Sequence, residues 1–338
     1  MRGIRLLMIA LALLMTSLLP LAAGEEVVSE HPSRAPDKHG SITSDETWSG
    51  DLGVDNVIIE EGVTVTINKG TVINMYDEAE IWVRGTLLVQ GGEATSDLVP
   101  FKLSFGSYWK GIIINDTGTA DIQNATFSGG HDYIRVWGDD VRLKNILFDQ
   151  GWSGVIISNG GGHDLDHLMG KYINSVVSVY SNTGPVDIHW VYGVEAAHYV
   201  VHLSNVHNIT VDWIYAADSG TGLRIDGGCG GECGNITATR IMVNQTAPAS
   251  PSSYGINLGG PIHGLYLEDI TLSNLSFGID INTYPGSKVT VRGLQTYGSI
   301  NTLFNLDQDY QGIDMEVYDS FLEAVEIACL ESDTADVN

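Results

Sequence analysis

The chain has 338 residues, 42 acidic against 16 basic, for a formal net charge of -26. A surface this acidic repels phosphate backbones and anionic lipid, which excludes nucleic acid and polybasic membrane docking as expected partners. With 43% hydrophobic residues but only 17% charged, and with 40 glycines, the composition argues against both disorder and an all-helical fold, and favours short strands and turns.

At the N-terminus, Arg2 and Arg5 precede an apolar run from Leu6 to Leu21 that is closed by Ala22, Ala23 and Gly24. This reads as a secretory signal over residues 1–23, cleaved near Ala23. An uncleaved anchor is the alternative, because about 20 apolar residues reach across a bilayer; the small residues closing the run favour cleavage. No later segment is apolar enough to span a membrane, so the mature protein is expected to be secreted or held at the cell surface. Residues 24–45, polar and holding Pro32 and Pro36, read as a spacer.

Residues 46–118 carry runs of β-branched residues: Val57-Ile-Ile-Glu-Glu-Gly-Val-Thr-Val-Thr-Ile-Asn-Lys-Gly-Thr-Val-Ile73, then Ile81 to Val89, then Trp109-Lys-Gly-Ile-Ile-Ile114. From 119 to 330 a spacing recurs: two apolar residues two apart, a two-residue polar break, then another such pair. Ala120, Ile122, Ala125 and Phe127 fit it, as do Val141, Leu143, Ile146 and Phe148, and Ile209, Val211, Ile214 and Ala216. Val186, Ile188 and Val191 match with Gly193 in the last place, and the unit begun by Leu165 and Leu168 is the loosest. A third strand follows in each unit, from Ile134 and Val136 through Val201 and Leu203 to Phe304 and Leu306. Alternation means strands with one face inward, and the break means a sharp corner. The period is about 21 to 29 residues, from Ala120 to Val141 at the short end and Ile236 to Leu265 at the long end. Three strands per unit at that period predict an all-β solenoid, a single-stranded parallel β-helix with three short strands per coil.

These motifs resemble the opening and middle coils of secreted right-handed parallel β-helix repeat proteins of the pectin-lyase-like superfamily. The likeness runs from about Trp48 to about Ile327. It implies a right-handed coil, and it implies that any substrate groove would lie over the third strand. The motifs are specific for architecture and almost silent on activity.

Stacking converts a sequence offset into a ladder of neighbours. The third strands place His202, Arg224, Asn257 and Asp280 in one outward column, with Asp226 and Asn282 in the next. If the chain is an enzyme, His202, Arg224, Asp226 and Asp280 are the residues to neutralise a uronate and to move a proton. Asn257 and Asn282 are candidate ligand contacts beside them. The same polar residues also suit a strand face that only meets water. The first corner carries Asn124 and Asn145, in the manner of stacked corner asparagines, and later Trp190 and Trp213, with Tyr192 and Tyr215 on the next strand. Flat rings with polar rims suit sugar stacking; the favoured reading is that they shield the coil edge and pack on each other.

Gly138-Asp139-Asp140 and Gly162-His163-Asp164 are similar to polygalacturonase motifs, but Asn115-Asp116-Thr117 and Arg224-Ile225-Asp226 depart from the rest of that pattern, so ordinary turn chemistry explains the acidic pair. No cofactor is expected and no metal site is assigned; Asp280 and Asp307 are oxygen donors for calcium without a supporting loop. Cys229 and Cys233 read as a disulfide pinching one loop, with zinc the lesser alternative, and Cys329 is left over. Sequons begin at Asn115, Asn124, Asn208, Asn235, Asn244 and Asn274, and several of them merely place Asn at a turn and Thr outward. Residues 331–338 form an acidic tail. Functionally the chain reads as an extracellular module for adhesion, glycan binding or structure, with a polysaccharide lyase or glycoside hydrolase as the alternative; its partner would be a polysaccharide or surface glycan.

Overall fold

The computed structural model describes residues 35–227, 231–246, 253–283, 286–306 and 314–322. From Pro36 onward the chain forms a unit of its own. It is an all-β parallel solenoid of about 11 coils. Among the described residues the one helical element is the short 3-10 turn Thr95–Asp97, and no helix is long and apolar enough to cross a membrane.

Each coil has three arms. The first arm of successive coils aligns Ile122, Leu143, Leu165, Ile188, Val211, Ala238, Leu267 and Val291 in one parallel ladder. The third arm aligns Val136, Ile157, Val179, Leu203, Ile225, Leu258 and Ile281. These are the inward positions of the sequence repeat, and all of them are buried. The weakest repeat, at Leu165 and Leu168, pairs with Leu143 and Ile146 in the same register as its neighbours.

The corners are sharper than the sequence suggests, because a single residue makes each turn. The second residue of every polar break at the first corner has a left-handed backbone: Asn124, Asn145, His167, Trp190, Trp213, Arg240 and Asp269, with φ between 53° and 64°. Extended structure therefore continues through the bends, as in the 16-residue strand Arg142–Ile157 and the 22-residue strand Ile262–Thr283.

Size matching fills the core. Phe101, Phe127 and Phe148 are register partners on the second arm, with Phe101 and Phe127 stacked at 4.8 Å. The next two positions of that column are Gly170 and Gly193. Their space is taken from the third arm: a Cβ on Gly193 would lie 2.4 Å from Val200 Cγ2. Glycine in the repeat's last place thus makes room for an inward valine.

His163 supplies a pH-dependent element. It is buried at the turn between coils, where its Nδ1 accepts the Val141 N–H at 3.3 Å. Burial holds its imidazole below the ordinary value, outweighing the Asn159 backbone and the nearby Asp139 and Asp140 carboxylates, which pull upward. The unfolded chain then binds this proton first. Its contribution to stability is complete above about pH 6.5 and is lost as pH falls toward the lower folded value. Chemical denaturation between pH 7.5 and 5 is expected to show that loss in the wild type and a smaller slope in His163→Gln; equal slopes would refute the assignment.

Candidate functional site

The outward positions of the third arm form the columns that the sequence predicts. Ser178, His202, Arg224, Asn257, Asp280 and Asn305 are successive register partners, and Tyr180, Ser204, Asp226, Gly259 and Asn282 form the adjacent column. Parallel pairing at about 4.8 Å brings side chains from neighbouring coils within hydrogen-bond reach. Two polar knots result.

The first knot centres on Asp226. Its Oδ2 accepts from Arg224 Nε at 2.9 Å and lies 2.9 Å from His202 Nε2, while Oδ1 accepts from Ser204 Oγ at 2.7 Å. His202 Nδ1 is 3.2 Å from the Tyr180 hydroxyl. Facing the ionised carboxylate, Nε2 is the nitrogen that carries a proton, and Nδ1 pairs with the Tyr180 hydroxyl. Tyr199 closes the opposite side, receiving Arg224 Nη1 on its hydroxyl at 3.3 Å, with the guanidinium 5.4 Å from its ring centroid. Burial pushes the Asp226 carboxyl up, but the donors His202, Arg224 and Ser204 together outweigh it and hold the group well below the usual carboxylate range. Asp226 is therefore a fixed anion.

The second knot centres on Asp280, which is 4% exposed. Asn257 and Asn282 donate to its Oδ2 at 2.5 and 3.2 Å, and Asn305 donates to Oδ1 at 2.6 Å. All six third-arm residues predicted from sequence thus fall into these two knots. Tyr180, Tyr199, Ser204 and Asn305 complete them. Tyr180, Ser204 and Asn305 already shared the predicted columns, whereas Tyr199 precedes its strand's alternating pair and carried no such signal.

The aromatic residues of the first corner sit elsewhere, and in a different state. Trp190 and Trp213 stack at 4.6 Å with planes 8° apart; His167 stacks on Trp190 at 5.3 Å, and Arg240 lies 5.0 Å from the Trp213 centroid. Asp212 anchors that guanidinium, accepting from its Nε at 2.7 Å. Tyr192 and Tyr215 stack on each other at 4.8 Å, between register partners Met169 and Met242. Both faces of each indole are taken by neighbours, so the ladder offers ring edges rather than the flat faces on which a sugar stacks.

The corner asparagines behave as turn residues. Asn145 Nδ2 donates to Asn124 Oδ1, and Asn124 Nδ2 to the Gly91 carbonyl, both at 2.8 Å. Asn124, Asn208, Asn235 and Asn274 are left-handed; Asn235 donates to Asn208 and Asn274 to the Gln245 carbonyl. Asn244 accepts from Ser273, and the Asn115 carbonyl closes a turn on Gly118. Four of the six sequon asparagines are therefore left-handed corner residues, and the amide or carbonyl of each of the six has a hydrogen bond. Asp139 likewise accepts the Gly161 N–H, as a turn aspartate does.

Cys233 is buried as a thiol that donates to the Asp226 carbonyl at 3.1 Å, and burial pushes it up to about 11. Cys229, the disulfide partner read from the sequence, lies outside the described residues, as do Cys329, Asp307, parts of the loops after Asp226 and Asn244, and the acidic tail. Among the described residues no group of three His, Cys, Asp or Glu is placed to hold a metal.

Fold and site together define the chain as a parallel β-solenoid with two polar knots along its third arm. Compared with protein-family models, curated proteins and solved structures, it matches none of them.

Proposed function

We propose that the chain is an extracellular or cell-surface β-solenoid of the right-handed, pectin-lyase-like kind that binds a glycan along its third arm without cleaving it. The observation that carries this reading is the satisfaction of both carboxylates: Asp226 is held ionised by three side-chain donors and Asp280 is ringed by three amides. Glycoside hydrolysis by paired carboxyls needs one of them held protonated to donate to the leaving oxygen. Asp226 is displaced the opposite way. Asparagine amides, a guanidinium and tyrosine hydroxyls in a row along the coil axis instead suit hydrogen bonding to a chain of sugar hydroxyls. The charge of -26 favours a neutral polymer over a polyanion.

One observation favours an enzyme as the second reading. Tyr180, His202 and Asp226 form a line of hydrogen bonds across three coils, with Tyr180 at the exposed end. In a polysaccharide lyase or hydrolase the Tyr180 hydroxyl would exchange a proton with substrate, His202 would relay it, Asp226 would orient the ring and Arg224 would pair a uronate.

Affinity electrophoresis in gels containing neutral or acidic polysaccharides tests the first reading. Retardation by a neutral polymer is expected, and it should weaken in Arg224→Ala and Asn257→Ala variants whose thermal melts confirm folding. Migration unaffected by every polymer would remove the glycan from the proposal.

A further inference from the structure

The second corner carries a row of rings that neither knot uses. Tyr108, His131 and Trp152 follow one another along the axis: His131 stacks on Trp152 at 5.5 Å with planes 6° apart, and Tyr108 meets His131 at 5.6 Å. Backbone bonds from His131 N to the Trp109 carbonyl and from Trp152 N to the His131 carbonyl, both 2.8 Å, hold the three coils side by side, and Tyr108 reaches His131 diagonally because Trp109 pairs with Gly130. Trp152 is 56% exposed. One face rests on His131, and the register places only Asn174 on the other side, so most of an indole face meets solvent. The fold does not require these rings, since the same column continues with Asn174 and His198.

The backbone beneath the row is fixed. Tyr133, fully buried against Trp109 and Phe148, donates its hydroxyl to the Asp149 carbonyl at 2.5 Å, with the Gln150 carbonyl at 3.1 Å as a second, longer acceptor. Its ring also sets the residue before Trp152, because a Cβ on Gly151 would lie 2.5 Å from Tyr133 Cε2. Beside the row lies Asp132, whose side chain is 3% exposed. Its Oδ2 pairs with Arg135 and with His131, whereas Oδ1 is buried without a hydrogen-bond partner among the described residues. Through Oδ2, Asp132 holds the His131 ring on which Trp152 rests.

We infer that this row is a second glycan contact, a stacking platform for a neutral pyranose, with the open face of Trp152 taking the C–H face of the ring. The inference rests on the glycan-binding reading and adds a site on a different edge of the solenoid. The exposed rings here are Tyr108, Trp152 and, one coil on, Tyr172, a strip too small for a stable protein interface but one that fits a single sugar chain. The net charge of -26 turns away acidic sugars.

The test is affinity electrophoresis of the full chain against galactomannan, hydroxyethyl cellulose and a soluble β-glucan, with polygalacturonate as the anionic comparison. The wild type is expected to be retarded by at least one neutral polymer; Trp152→Ala should weaken that retardation about tenfold, and Trp152→Phe should keep most of it. Melting temperatures should stay at the wild-type value, because the indole is exposed. If Trp152→Ala binds as the wild type does while Arg224→Ala loses binding, the platform is refuted and the third-arm reading stands. If the wild type is retarded by none of the polymers, both fall. A concentration-dependent dimer by light scattering that disappears in Trp152→Ala would also overturn the inference, in favour of a second copy of the chain as occupant.

Discussion

Phe127→Ala is expected to cost the solenoid about 3–5 kcal/mol, the range for removing a fully buried phenylalanine. Phe127 is in contact with rings on every side: Phe101 at 4.8 Å, Phe148 at 5.5 Å, Tyr133 at 5.7 Å and Trp109 at 6.1 Å. Neighbours locked in parallel register have little freedom to collapse into the gap, which puts the expected loss toward the upper part of the range. The cost should extend beyond the one coil, because each coil's stability includes its interfaces with the coils above and below. Chemical denaturation of the variant would reveal it as a lower midpoint, and an unchanged midpoint would mean that the aromatic stack is not a main support of this region.

Asp226→Ala is expected to have the second largest effect, a loss of about 3 kcal/mol near neutral pH. The substitution removes no apolar packing of consequence. It leaves Arg224, His202 and Ser204 without the acceptor they share, and a stranded guanidinium on a half-buried face is the costly part. The effect should depend on pH in a defined direction. The folded carboxyl is held below its unfolded value of about 3.9, so its stabilisation is complete above about pH 4 and is lost as pH falls through the lower folded value. The gap between wild type and variant is therefore expected to be widest at neutral pH and to narrow in acid. A gap that stays constant down to pH 2 would show that the carboxylate charge contributes nothing.

Much of this site was legible in the sequence, for a physical reason. Parallel in-register stacking makes equal offsets into neighbours, so the spacing that located Val201, Leu223, Ile256 and Ile279 inside also located His202, Arg224, Asn257 and Asp280 outside. The spacing did not reveal side-chain direction within the columns. Asp226 reaches from its own column to His202 and Arg224 in the adjacent one, which converts a candidate acid into a permanently ionised acceptor. Ring orientation was hidden in the same way. For Trp190 and Trp213 the sequence left a self-packed ladder, the favoured reading, beside a sugar platform, and the left-handed corner turns them face to face.

Trp152 escaped the sequence reading because it sits at a corner, outside any alternation, between Gly151 and Ser153. Its exposure goes with the Tyr133 ring of the preceding coil filling the space against Gly151, a contact between successive coils that no local pattern encodes. A spacing pattern specifies coils and corners, and the outward residues, where function resides, are free of it.

The central claim, binding without cleavage, is tested most directly by incubating the purified chain with a panel of neutral and acidic polysaccharides and measuring both reducing ends and the absorbance of unsaturated uronates. Retention on a neutral polymer with no product of either kind is the predicted result. Product that forms in the wild type and disappears in Tyr180→Phe and Arg224→Ala would contradict it, and would make the Tyr180, His202 and Asp226 line a catalytic relay.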